Sequence, residues 1–175
     1  MAEPADERAA GDEVDEVDEI VTAWRRERPD LDVGPLQVLS RLDRLAGVLG
    51  ERRAAIFGQH DLRKHEFDVL AALRRAGEPF ELTAGELAAR TYVTSGTMTS
   101  RLDGLTDRGL VTRAAAREDG RLVRVRLTGP GRARVDGAFE ALLAAERELL
   151  TPLPPHTVGP LAAALRSLLA SAVDR

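Results

Sequence analysis

Between Thr83 and Leu127 the chain carries two short helical patterns separated by a brief turn, and then two alternating segments around an Asp-Gly turn. Few folds accept that order. Thr83 with Glu86 three residues on is a capping box, in which the two side chains satisfy first-turn amides of a helix. A second helix opens at Thr94 or Ser95, with Met98, Leu102 and Leu105 as its apolar stripe. After Gly109 the period becomes two: "LVTRAA" and "LVRVRLT" read as strands joined through "AREDG". Two helices joined by a tight turn, the second apolar inside and rich in Ser and Thr outside, match a helix-turn-helix unit followed by a hairpin.

The rest of the chain reads as helix. Val14, Val17, Ile20, Val21 and Trp24 recur at steps of three and four, with a stop at Pro29. Gly34-Pro35 opens a long second helix through Leu39, Leu42, Ala46, Leu49, Arg53 and Ile56. A third carries Phe67, Leu70 and Leu73 and ends at Gly77 and Pro79. Past Thr128, another carries Val135, Phe139, Leu142, Leu143 and Leu149, and a last one spans 158–173. The expected layout is a disordered acidic tail over 1–11, N-terminal helices over 12–59, a winged helix-turn-helix over 60–132 and C-terminal helices over 133–175. The fold class is mainly α with a small β-hairpin wing.

Charge and composition narrow the functions. The 175 residues include no cysteine, which excludes disulfides, thiolate metal sites and thiol redox chemistry. No apolar run approaches the ~18 residues that cross a bilayer. The opening "MAEPADERAAGDEVDEVDE" is acidic where a signal peptide is basic and then apolar, so a cytoplasmic chain with no membrane partner is expected. The net charge of −4 is unevenly spread: residues 1–35 hold 12 acidic against 4 basic groups, while 84–132 hold nine arginines against five acidic groups. A local basic field is what a phosphate-binding face produces; ordinary surface arginine is the plainer alternative.

Thr94, Ser95, Thr97, Thr99 and Ser100 put hydroxyl groups at the positive end of the second helix, where phosphates and base edges of DNA would lie. The same residues serve as ordinary caps. Asp119, Gly120 and Arg121 occupy the hairpin tip, where an arginine can enter a narrow minor groove, and an Asp-Gly turn with incidental charge is the other reading.

The stretch "LTAGELAARTYVTSGTMTSRLDGLTDRGLVTRAAAREDGRLVRVRLTGPGRARVD" resembles the winged helix-turn-helix core of the MarR family of bacterial transcriptional regulators, densely over 60–140. The resemblance rests on L-T-x-x-E-L-A at Leu82, T-x-T at Thr97, R-G-L-V-x-R at Arg108, D-x-R at Asp119 and L-T-x-x-G-R at Leu127. Tyr92 departs from a common turn glycine, and Gly120 from a common wing arginine. The resemblance implies a homodimer joined by its terminal helices and bound to pseudo-palindromic double-stranded DNA. Base readers are expected among Ser95, Gly96, Thr97, Thr99 and Ser100, next to Thr94, with Asp119 and Arg121 at the minor groove.

Arg101, three after Met98 and four before Leu105, borders the core face of its helix, where most of the family is apolar. A buried guanidinium costs several kcal/mol unless it is paired or bound to an anion. Asp68, on the helix expected to pack against this one, is the candidate partner. Trp24, Asp68, Arg101 and Arg113, with "WRRERPDLD", are similar to the urate-responsive branch of the family. That similarity implies a small anionic effector held by the indole N–H and the guanidinium, chemistry that suits a planar monoanion. The alternatives are a structural Asp68–Arg101 pair with Trp24 as a packing anchor, a different phenolic or carboxylate anion, or no ligand. His60 and His65 are five apart, off the spacing of a helical metal pair, and His156 sits in a proline-rich loop, so no metal or other cofactor is expected. No nucleophile with a positioned base and no phosphate-cradling glycine loop points to an enzyme.

Overall fold

The computed structural model describes residues 14–115 and 123–173, which leaves the acidic tail of 1–11 and the hairpin-tip residues Asp119 and Arg121 outside the described residues. The elements run α1 (Glu16–Glu27), α2 (Gly34–Gln59), α3 (Lys64–Arg75), β1 (Glu81–Thr83), α4 (Ala84–Arg90), α5 (Ser95–Asp107), β2 (Val111–Ala115), β3 (Val123–Leu127), α6 (Gly129–Leu150) and α7 (Pro155–Val173). The chain divides into two compact units, one of Leu49–Ala144 and one of the described parts of Met1–Val48 and Ala145–Arg175.

In the Leu49–Ala144 unit, Leu70, Leu73, Leu87, Met98, Leu102, Leu105, Leu110 and Val125 form a continuous core. Local chemistry sets the elements around it. Thr83 accepts from the Glu86 amide while the Glu86 carboxylate takes the Thr83 amide at 2.7 Å, which starts α4 as the sequence predicts. Thr94 caps α5. Gly109, at φ 65, lets the chain leave α5 through a left-handed residue, and the Leu110 amide returns to Leu105 O at 2.9 Å. The expected hairpin is part of a three-stranded antiparallel sheet in the order β1-β3-β2. The extra strand pairs Glu81 with Arg126, Leu82 with Val125 and Thr83 with Arg124. Three residues are too few to show a period of two, so β1 left no pattern to read.

Thr128 fastens the sheet to α6. Its Oγ1 lies 2.8 Å from Gly109 O and 3.0 Å from Leu110 O, and it accepts from the Gly131 amide. Gly131 sits so close to the exit of α5 that a Cβ there would stand 2.1 Å from Leu110 O.

In the other unit, Asp15 starts α1 with a capping box to Asp18. Arg41 of α2 then grips Asp15 at 2.7 Å and Asp18 at 2.8 Å. Val17, Val21 and Val33 make a small core there. Helix α7 buries none of its residues. Its Leu165, Leu168 and Leu169 line an open apolar groove of about 710 Å³ with Leu39 and Leu42 of α2. No helix among the described residues is long and apolar enough to cross a membrane.

Candidate nucleic-acid interface

Helix α5 buries one stripe and leaves its N-terminal end bare. Met98, Leu102 and Leu105 are buried, while Thr94, Ser95, Gly96, Thr97, Thr99 and Ser100 are all exposed. Thr94 Oγ1 accepts from the Thr97 amide at 3.3 Å and lies 3.0 Å from Thr97 Oγ1; Thr99 donates to Ser95 O at 3.0 Å. Ser95 and Ser100 spend no side-chain hydrogen bond among the described residues. No acidic residue occupies the first turn, so nothing cancels the partial positive charge of the helix end and its free amides.

The opposite end of α5 is held by charge. Arg108 donates to Glu66 Oε1 at 2.8 Å and to Asp61 Oδ2 at 2.7 Å, and also reaches the Asp61 carbonyl. Glu66 is buried, and its second oxygen accepts from the Arg63 amide at 2.7 Å. Burial pushes the Glu66 carboxyl up, but the Arg63 amide and the Arg108 guanidinium outweigh it and hold it below the usual carboxylate range. Arg134 binds Asp61 from α6 at 2.6 Å. The sequence reading missed this network, because its members are spread from 61 to 134 and none breaks a local pattern.

None of the four candidate effector residues pairs with another of them among the described residues. Arg101 is half-buried and has no hydrogen bond or ion pair among the described residues. Asp68 is held by Lys64 at 3.1 Å on its own helix. Arg113 donates to Asp103 at 2.8 Å and to Thr99 O at 3.2 Å, and its buried Nε lacks a partner among the described residues. Trp24 belongs to the other unit and is 50% exposed, beside Ile20, Ala23 and Glu27 in a shallow hollow of about 220 Å³. A residue outside the expected set, His65, lies near both Arg101 and Asp68. Burial first, and the charge of Arg101 second, hold its imidazole below the ordinary range. On the sheet, Glu81 binds Arg124 and Arg126 at 3.0 Å each.

A short helix, a tight turn, a second helix with a bare polar end and a strand pair leading into α6 define a winged helix-turn-helix protein. Residues 60–122 match the model of the MarR family. The chain is 36% identical over 137 residues to the HTH-type transcriptional regulator PecS of Dickeya dadantii (strain 3937), covering 78% of this chain and 82% of that one. Its fold is similar to that of AbsC, a MarR family transcriptional regulator from Streptomyces coelicolor, with a TM-score of 0.72 at 16% identity over 83% of this chain and 98% of that chain. It is also similar to an S. aureus MepR mutant bound to an oligodeoxyribonucleotide, with a TM-score of 0.55 at 22% identity over 76% and 96% of the two chains. The chain belongs to the MarR family and is a transcriptional regulator, not an enzyme.

Proposed function

We propose that this regulator is a repressor that binds pseudo-palindromic double-stranded DNA as a homodimer and is released by a small anion. The observation that carries the DNA reading is the exposed, acid-free, hydroxyl-lined first turn of α5 above a buried Met98, Leu102 and Leu105 stripe. Thr94 to Ser100 would meet base edges and phosphates in a major groove, and the hairpin tip with Asp119 and Arg121 the flanking minor groove. Two half-sites then lie about one helical turn, ~34 Å, apart. The relative MepR, solved with an oligodeoxyribonucleotide, supports this reading. The bare leucines of α7 and α2 support a second copy as the dimer partner, since an exposed apolar face of that kind is what an obligate interface covers.

A gel shift with the chain's own upstream DNA tests the core of the proposal. Retardation at a discrete site, weakened for every sequence by Arg121→Ala with a salt slope lowered by about one, is the expected result; no retardation refutes it. For the effector, an Arg101 with no hydrogen bond or ion pair among the described residues supports an anion, urate-like and planar, with Trp24, Asp68 and Arg113 as further contributors. Urate should lower operator affinity, and Arg101→Ala and Trp24→Phe should each blunt that response. A protein whose operator affinity and melting temperature ignore urate, xanthine and aryl carboxylates has no sensor of this kind.

A further inference from the structure

We infer that Tyr92, in the turn between α4 and α5, is a contact to the DNA backbone, its phenol hydroxyl donating to a phosphate oxygen. The inference rests on the DNA-binding reading above and adds to it a residue outside α5 and the hairpin tip.

Three non-glycine residues have positive φ among the described residues: Asp61 at 52, Phe80 at 58 and Tyr92 at 53. That region disfavours a bulky side chain and suits glycine. At two of the three, the side chain gains something inside the chain. Asp61 is bound by Arg108 and Arg134. The ring of Phe80 lies between the guanidinium groups of Arg74 and Arg132, 5.1 and 5.0 Å from its centroid. Tyr92 gains nothing comparable: it is 96% exposed, and its hydroxyl has no hydrogen bond among the described residues. A side chain that is unfavourable where it stands and idle within the fold points to something outside it.

Its position says what that is. Tyr92 stands two residues before Thr94, the cap of α5, at the same end as the exposed hydroxyl groups. Just before it, Arg90 closes α4, exposed and without an ion pair among the described residues. In a helix-turn-helix the first helix crosses the backbone and the second enters the groove, so the turn between them lies over phosphates. A phenol is a neutral donor of the kind that fixes register on a phosphate without reading sequence. Being uncharged, it releases no counterion of its own.

The test is fluorescence anisotropy with the full chain, its upstream operator duplex and an unrelated duplex, over a salt series, for wild type, Tyr92→Phe and Tyr92→Gly. Tyr92→Phe should lose about tenfold in affinity on both duplexes, the weight of one hydrogen bond to a charged acceptor, with an unchanged salt slope. Tyr92→Gly should lose at least as much while melting no lower than wild type, since glycine is at ease in this conformation. Phe binding within twofold of wild type, a loss confined to the operator, or a Gly variant that melts lower would each overturn the inference. Wild type binding tightly while Phe is unimpaired removes the phenol contact and keeps the regulator reading; wild type binding neither duplex removes both.

Discussion

Replacing Arg108 with methionine asks whether α5 is held by charge or by packing alone. Methionine keeps the stem and deletes the bonds to Glu66 at 2.8 Å and to Asp61 at 2.7 Å. Glu66 would be left buried with its Arg63 amide as the one remaining partner. Stranding a buried charge costs about 3–5 kcal/mol. The Arg108 side chain is 29% exposed and water can reach the gap, so the cost falls to the lower end of that range or just below it, about 2–3 kcal/mol. With a urea dependence of ~1–3 kcal/mol per molar, the unfolding midpoint should fall by about 0.7–3 M. The readout is far-UV circular dichroism at fixed protein concentration, because the single tryptophan, Trp24, lies outside the unit that Arg108 ties together. Adding Glu66→Gln should recover part of the loss, since a neutral amide is cheaper to strand. The gap should also close in acid. The Glu66 carboxyl is held below its ordinary value, so its stabilisation is full above about pH 4.5 and disappears as pH falls through the folded value. A midpoint for Arg108→Met equal to wild type at pH 7 would refute the reasoning and leave the helix held by Met98, Leu102 and Leu105.

Gly131→Ala should lower the urea midpoint sharply, with an overpacking cost of about 1–3 kcal/mol or more, because the intruding methyl meets the Leu110 carbonyl and not a movable side chain. Gly104→Ala, where a Cβ meets nothing within 4 Å, should stabilise the fold by up to ~1 kcal/mol and so raise the midpoint in the same assay. The imidazole of His65 is held below its ordinary range, so the unfolded chain takes up the proton first and stability falls as pH drops below about 6.5; urea midpoints at pH 7.5 and 5.5 should converge in His65→Gln. Leu168→Glu, on the bare face of α7, should shift the protein to a monomer in sedimentation, and a dimer unmoved by it would place the interface elsewhere.

Much of this molecule was legible in its sequence, for reasons that can be named. The capping box at Thr83 and Glu86, the cap at Thr94 and the Met98, Leu102 and Leu105 stripe are local patterns, and all appear in the structure as read. Strand β1 escaped because its three residues gain their strand character from β3, more than forty positions away. The network of Asp61, Glu66, Arg108 and Arg134 escaped for the same reason: long-range charge pairing leaves no period. Arg101 borders the core face, as its spacing from Met98 and Leu105 predicts, and is half-buried. The candidate pairing of Arg101 with Asp68 is replaced in the structure by Lys64, four residues before Asp68 on the same helix, a local pair that the spacing alone makes available.

Thr83 has two duties, as the residue that opens α4 and as the strand partner of Arg124 at the stem of the hairpin. The stem and the first helix of the reading pair are therefore stitched through a single backbone position. A tilt of that helix therefore drags the hairpin stem with it, and under the proposed function any tuning of DNA grip would carry the two as one rigid blade, with the gap between the blades of two copies as the adjustable quantity.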